Sequence, residues 1–226
     1  MCHELIGQSL QSTGRTAEAE QSYRRAIVVL QTLVDDAPAV TMYRDDLAAN
    51  HLYLGELFAP MGRLSEAETE FRAAVAGYQK LFDGTPEDLT ARTYLARSLH
   101  GLGGLLRVTG RRSEAMASFR RVLELRERLA RDDRSDSQRQ SQLAETLNEM
   151  ALCEMRPGHW AEAREFLTRA VELERKALSS APDDPALRQL LRSHLTNLAK
   201  VQRELARLLD NLFDQGFPDN PFVPGG

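Results

Sequence analysis

The chain has 226 residues, of which 42% are hydrophobic, 27% charged and 6% aromatic, and its formal net charge is −4. This composition is typical of a helix-rich globular chain, excludes wholesale disorder, and provides no basic footprint for nucleic acid. Cys2 and Cys153 are far apart and lack metal-ligand spacing, no apolar run has the length of a membrane span, and the N-terminus does not have the pattern of a secretory signal. We therefore expect a reduced, cytoplasmic protein.

One motif, G-x-x-x-E-A, recurs four times along the chain. Its glycines are Gly14, Gly62, Gly110 and Gly158, and the interval between successive glycines is the same each time, since 62 − 14, 110 − 62 and 158 − 110 all equal 48. Four residues after the alanine of each copy comes a large side chain: Tyr23, Phe71, Phe119 or Leu167. One copy would be weak evidence, but four copies in constant register indicate a repeat architecture, and the interval is the repeat length.

The first copy shows the elements that each repeat predicts. Ile6, Gly7 and Leu10 form one helical stripe, and Ala19, Tyr23 and Ala26 form a second at i, i+4 and i+7. Between these stripes the motif glycine supplies the positive φ that a helix C-terminus often needs. Each repeat is therefore predicted to be helix A, a glycine turn, helix B and a loop.

Loop signals and the repeat register set the predicted boundaries. The repeats cover about 1–36, 39–84, 87–132 and 136–181, a capping helix covers 186–213, and a tail rich in proline and glycine covers 214–226. We expect helix A of the third repeat to start with a capping Thr85 followed by Pro86. Ser65 with Glu68, and Ser135 with Gln138, are typical of capping boxes. The first repeat lacks the first half of its helix A, so we expect an incomplete array or a fragment.

The pattern in the second repeat, Leu54-Gly55, Gly62, Ala67, Phe71 and Ala74, resembles the tetratricopeptide repeat, and the third repeat does so as well, with Val122 in place of the last alanine. This resemblance implies an all-α fold: a right-handed α-solenoid of antiparallel helix pairs, with four A/B pairs plus a C-terminal capping helix. The common repeat has about 34 residues, so this one is about 14 longer. We expect about two extra turns in each helix rather than inserted loops.

The segment Tyr43 to Ala48 resembles long-repeat arrays that follow the kinase domain of some bacterial serine/threonine protein kinases. Two functions therefore remain open. The chain is either a passive scaffold that recruits a partner protein, or a regulatory segment of a larger bacterial signalling enzyme such as a protein kinase.

Two short segments of the sequence have some of the residues of catalytic motifs. Phe82-Asp83-Gly84 is interpreted as a turn, and Gly101 to Gly104 as helix packing, because neither has the strand context of a kinase or phosphate loop. The five histidines form no ligand cluster. We expect no enzyme activity, no catalytic residue, no cofactor and no metal.

In the family that this chain resembles, the inner face of the A helices lines a concave groove that binds an extended peptide or a partner helix. The resemblance places eleven residues on that face: Leu52, Glu56, Arg97, His100, Arg107, Glu145, Asn148, Leu152, Thr196, Lys200 and Arg203. Their charges are mixed and do not reproduce the clamp for carboxylates found in some members. We expect a protein or peptide partner, no nucleic acid and no membrane insertion; the alternative is that these residues are merely solvated, and the sequence does not indicate an oligomeric state.

Overall fold

The computed structural model describes residues 15–133 and 136–214, with side chains as far as residue 211. All regular secondary structure in these two ranges is helical. The helices are α1 (Thr16–Asp36), α2 (Thr41–Phe58), α3 (Leu64–Gly84), α4 (Leu89–Val108), α5 (Arg112–Asp132), α6 (Ser137–Glu154), α7 (Trp160–Ser180) and α8 (Pro185–Asp214). The chain divides into two compact units, residues 1–134 and 135–226.

The helices follow the register of the sequence motif. Each B helix (α1, α3, α5 and α7) has 21 residues, and the first residues of these helices, Thr16, Leu64, Arg112 and Trp160, are one repeat length apart. The A helices α2, α4 and α6 have 18, 20 and 18 residues. Short connections join them, so the prediction that the extra length lies in the helices is confirmed.

Within each unit, consecutive helices pack on one another as antiparallel hairpins, because the connections between them are short. In the first unit the contacts run in order from α1 to α5, and α2 also contacts α4, the next A helix. In the second unit α7 packs on α6 and α8, and α6 also contacts α8. Both units are therefore built as an all-α helical repeat.

The motif glycines have the predicted backbone conformation. Gly62, Gly110 and Gly158 have φ values of 75°, 80° and 84°, in the left-handed region that glycine adopts without steric cost. Each lies in the turn between an A helix and the following B helix. Gly14 and the predicted first-helix residues Ile6, Gly7 and Leu10 lie outside the described residues, as does the tail from residue 215.

The large residue of each motif copy fills the space between helices. Tyr23, Phe119 and Leu167 are fully buried, and Phe71 is 2% exposed. The Phe71 ring lies against the backbone of helix A in its own repeat, at Gly55. Small side chains are therefore required at this register position, as the sequence pattern indicated.

Helix capping differs from the sequence prediction in two places. The third-repeat helix A begins at Leu89 rather than at Pro86, because the Asp88 carboxylate accepts hydrogen bonds from the backbone N–H groups of the first turn. Ser65 lies inside α3, whose N-cap residue Arg63 makes no side-chain cap. The predicted Thr85 and Ser65 caps were therefore wrong, and Ser135 lies outside the described residues.

The carboxylate that caps α4 recurs at the same register position. Asp136 accepts from the N–H groups of Gln138 and Arg139, and Asp184 accepts from those of Ala186 and Leu187. A carboxylate at a helix N-terminus satisfies otherwise unpaired donors and complements the helix dipole. Aspartate thus defines where each of these three A helices begins.

Arginines at the starts of the B helices connect neighbouring repeats in the first unit. Arg63 pairs with Glu66 one turn ahead, at 2.6 Å, and with Glu20 of α1, at 2.5 Å. Arg111 pairs in the same way with Glu114 and with Glu68 of α3. Glu68 is therefore an ion-pair partner and not the second half of a capping box.

The second unit has an apolar cluster formed by Ala151, Ala163, Leu167 and Val201. Leu198 of α8 packs against this cluster. A buried polar group lies elsewhere in the same unit. The Ser141 hydroxyl donates to both carboxylate oxygens of Glu174, at 3.0 and 3.1 Å, and His194 Nδ1 is 3.9 Å from that carboxylate.

Candidate protein-interaction surface

The residues predicted to contact a partner divide between the two units. Five of them lie on α2 or α4 of the first unit: Leu52, Glu56, Arg97, His100 and Arg107. The other six lie on α6 or α8 of the second unit: Glu145, Asn148, Leu152, Thr196, Lys200 and Arg203. Each unit therefore carries its own set of candidate contact residues.

Glu56 and Arg97 form a bidentate ion pair that connects two successive A helices. Arg97 Nε donates to Glu56 Oε1 at 2.7 Å, and an Arg97 terminal nitrogen donates to Oε2 at 2.6 Å. The guanidinium also lies 5.5 Å from the centre of the Tyr53 ring. The Arg97 side chain nevertheless remains 46% exposed, so it presents a fixed positive charge to solvent.

The environment of Arg97 keeps it charged. Burial is the largest single effect and disfavours the guanidinium cation. The hydrogen bonds that Arg97 donates to Glu56, together with the electrostatic effects of Glu56, Tyr53 and Tyr94, outweigh it and raise the pKa of Arg97. Beyond Arg97, two turns along α4, a side chain added at Gly104 would meet nothing within 4 Å. The face of α4 that carries Arg97 thus has open space at Gly104.

Leu52 and His100 occupy the same register position and lie mostly in the core. Leu52 is fully buried, so its side chain offers no surface to a partner. The His100 ring packs edge-on against Phe119 at 5.7 Å. Burial, together with the charges of Arg126 and Arg107, lowers the pKa of His100 to about 3, so the ring is neutral at physiological pH. We therefore leave Leu52 and His100 out of the proposed contact surface.

Arg107 is half-buried and has an interaction partner within the chain. It lies on α4, ten residues beyond Arg97. Its charge faces the His100 ring closely enough to contribute to the lowered pKa of that group. Arg107 therefore adds a second positive charge to this region of α4.

In the second unit, the predicted residues have different degrees of exposure. Asn148 is buried, and its side-chain oxygen accepts a hydrogen bond from Asn197 at 2.8 Å. Glu145 and Leu152 are partly buried, whereas Thr196, Lys200 and Arg203 are exposed. No spacing in the sequence singled out Asn197, which connects α6 with α8.

In the part of the chain that the structure describes, no three His, Cys, Asp or Glu side chains are grouped so that they could hold a metal ion. Nor does any helix of the described ranges have the length and apolar character needed to cross a membrane. The cytoplasmic location stays a prediction.

The B helices have constant length, three of them follow a turn with a left-handed glycine, and one large residue per repeat packs between helices. These features define an all-α helical-repeat protein. Residues 2–27 and 95–133 each match a model of the tetratricopeptide repeat. The chain contains tetratricopeptide repeats. Such repeats generally mediate protein–protein interaction and are typically non-catalytic.

Solved structures are similar in fold. BtubC from P. vanneervenii is 16% identical, with a TM-score of 0.57 over 99% of this chain and 84% of that chain. TPR-like repeats assigned to a kinesin light chain of Podosopora anserina are 18% identical, with a TM-score of 0.53 over 89% of this chain and 95% of that one. No curated protein matches the chain in sequence.

Proposed function

We propose that this chain is a protein–protein interaction scaffold that binds an extended segment or a helix of a partner protein on its A-helix face. The observation that carries the proposal is the Glu56–Arg97 pair, which lies across α2 and α4 and leaves the guanidinium half exposed. Helical repeats have no single enclosed pocket, and their extended surfaces are what they offer to partners.

The chemistry of this face favours a partner with both polar and aromatic or aliphatic side chains. Arg97 is already oriented by Glu56 and Tyr53, so a partner carboxylate meets a guanidinium that loses little conformational freedom on binding. Arginine is also enriched among the residues that dominate binding energy. The open space at Gly104 leaves room for a partner side chain beside them.

A quantitative pull-down from a lysate of the source organism tests this proposal. The wild-type protein is compared with the double variant Arg97→Ala/Arg107→Ala, which removes two of the three arginines of α4. A matched control, Arg120→Ala/Arg128→Ala, removes two exposed arginines from α5. We expect specific partners to be lost from the α4 variant and retained by the α5 variant, with both variants folded by circular dichroism. Unchanged recovery with the α4 variant would contradict the placement of the site.

The second candidate role is that of a regulatory segment within a larger signalling enzyme such as a bacterial serine/threonine protein kinase. It is favoured by the resemblance of the segment that begins α2, Tyr43 to Ala48, to arrays that follow kinase domains. The full-length gene decides the matter. A kinase domain encoded directly upstream would support this role, whereas a complete gene that begins at Met1 would exclude it in cis.

A further inference from the structure

A cleft of about 250 Å³ lies between α1, α2 and α3, and none of the predicted contact residues lines it. Its apolar part is formed by Val34 of α1, Ala48 of α2, and Ala73 and Gly77 of α3. No aspartate or glutamate is among its lining residues, whereas Arg44 and Lys80 both are. The cleft therefore has an apolar part, its floor, and two positively charged side chains, its rim.

The cleft exists because several of its lining residues are smaller than the equivalent residues one repeat further along the chain. At the position that corresponds to Val34, the next repeat has Phe82, which is 7% exposed. At the position of Ala73 it has Arg121, whose guanidinium lies 5.8 Å from the Phe82 ring centre. These larger side chains occupy the space that remains open in the second repeat.

Gly77 also lines the cleft. It corresponds to Leu125, which is 1% exposed. At Gly77, an added Cβ would come within 2.7 Å of the Ala48 Cβ, so α2 and α3 approach closely at this point. The wall of the cleft at this point is thus formed by the backbone of Gly77 and the methyl group of Ala48.

Arg44 lacks the partners that its register equivalent has. In the next repeat, Arg92 donates to Asp132 at 2.9 Å and to the carbonyl of Pro86 at 2.8 Å. The position of Asp132 is occupied by Gly84 in the second repeat. Within the described part of the chain, Arg44 makes no ion pair, because the carboxylate that would neutralise it is missing.

Two acidic groups that interact with lining residues are already engaged. The Glu70 carboxylate lies 2.6 Å from Nδ1 of His51, which is a lining residue. Asp35 accepts a hydrogen bond from Gln31, another lining residue, at 3.0 Å. Lys80 is exposed and, among the residues for which the structure gives positions, has no ion-pair partner. Two positive charges at the rim are thus left for an anion from outside.

We propose that this cleft is a second binding site, separate from the A-helix face, for a peptide segment that carries carboxylates next to an aliphatic side chain. The apolar floor fits the aliphatic group, and Arg44 and Lys80 fit the carboxylates. The volume is below the roughly 300–1,000 Å³ of sites for drug-sized molecules, so the cleft accommodates one or two side chains of a partner. The inference does not depend on the function proposed for Arg97.

The test uses fluorescence anisotropy with a labelled nonapeptide that contains two leucines and three Asp or Glu residues. Its control is the same peptide with Asn and Gln at those three positions. We expect the acidic peptide to bind the full chain at least tenfold more tightly than the amide peptide. Two kinds of protein variant then locate the site: removal of the rim charges, and filling of the cleft.

The charge variant is Arg44→Gln/Lys80→Gln, and its matched control is Arg120→Gln/Arg128→Gln on α5. The filling variant is Val34→Phe, which copies Phe82 of the next repeat. We expect each cleft variant to weaken acidic-peptide binding at least tenfold, with no change for the α5 control or for Arg97→Ala/Arg107→Ala. Equal binding of the two peptides, insensitivity to both cleft variants, or equally tight binding of N-acetylglutamate alone would overturn the proposal.

Discussion

The ring of Phe71 lies so close to the backbone of Gly55 that a Cβ at residue 55 would be 2.7 Å from ring carbon Cδ1. The same relationship recurs in the next repeat, where a Cβ at Gly103 would be 2.8 Å from the Phe119 ring. In the fourth repeat the pair becomes Ala151 with Leu167. The methyl group of residue 151 is thus accommodated where the facing side chain is leucine and not phenylalanine.

This relationship predicts a compensating double substitution. We expect Gly55→Ala to destabilise the protein by about 1–2 kcal/mol, since overpacking a filled core costs more than the helix gains from alanine. Combining it with Phe71→Leu reproduces the pair of the fourth repeat. The two substitutions should therefore couple favourably by at least about 1 kcal/mol in a double-mutant cycle measured by urea denaturation.

Gly104 provides the control for this cycle. It lies in the next A helix, where an added Cβ meets nothing within 4 Å. Gly104→Ala should stabilise the protein by up to about 1 kcal/mol through helix propensity alone. Equal effects of alanine at residues 55 and 104 would show that the Phe71 ring does not constrain Gly55.

The buried motif aromatics should contribute strongly to stability. Phe71→Ala and Phe119→Ala are each expected to cost about 3–5 kcal/mol, because each removes a large side chain that is at most 2% exposed. Thermal or urea unfolding of each variant measures the cost. If either variant unfolded like the wild type, the register that places both rings between helices would be wrong.

Alanine at a turn glycine should destabilise the protein because of the left-handed backbone, and not because space is lacking. Gly110 has a φ of 80°, and an added Cβ there would meet nothing within 4 Å. We expect Gly110→Ala to cost about 1–2 kcal/mol, the penalty of left-handed backbone for other residues. Gly84, the last residue of α3, has equal space without a positive φ, so Gly84→Ala should be neutral or stabilising by up to about 1 kcal/mol. Equal costs in urea denaturation would contradict this account.

Glu174 should make stability depend on pH. Burial, reinforced by the negative charges of Glu145 and Asp184 and opposed by the Ser141 hydrogen bond, raises its pKa from 4.5 to about 6. Ionising this carboxylate in the folded state therefore costs about 2 kcal/mol above pH 6, and the cost vanishes below pH 4.5, where both states bind the proton. We expect Glu174→Gln to stabilise the protein above pH 6.

The measurement is urea denaturation of wild type and Glu174→Gln at pH 7.5 and pH 5. Burial also lowers the pKa of His194 to about 4, so both proteins should lose stability as the pH falls from 6.5 towards 4. Only the difference between the two free energies of unfolding reports on Glu174. That difference should be about 2 kcal/mol at pH 7.5 and smaller at pH 5, because the shifted pKa lies between the two conditions. A larger difference at pH 5 than at pH 7.5 would show that the pKa of Glu174 is not raised by folding.

Much of the fold follows from the sequence because its determinants are periodic. Small residues and one large residue recur at a fixed distance from each motif glycine, and the helices follow the same period. The helix starts were less predictable. Thr85 and Ser65 both have the right type for a cap, but Asp88 outcompetes Thr85, and α3 starts one residue before Ser65, with Arg63 as its N-cap. Local capping signals compete at close range, and period alone does not decide between them.

The candidate surface was less predictable than the fold, since exposure at one register position depends on neighbours that differ between repeats. Leu52, His100 and Thr196 share a register position, yet Leu52 is fully buried, His100 is partly buried and Thr196 is exposed. The sequence does not indicate the cleft directly, because Val34 and Gly77 are ordinary residues when each is considered alone. Comparing each with its equivalent in the next repeat, Phe82 or Leu125, was the signal that could have found it.

Site-specific photo-crosslinking tests most directly whether the A-helix face binds a partner protein. A p-benzoylphenylalanine is placed at Gly104, where a side chain enters open space on the same face as Arg97, and in a second protein at Arg128 on α5. On irradiation in lysate, the proposal predicts a discrete adduct from residue 104, none from residue 128, and loss of the adduct when Arg97→Ala is added. An adduct from residue 128 alone, or one from residue 104 that is unaffected by Arg97→Ala, would contradict it.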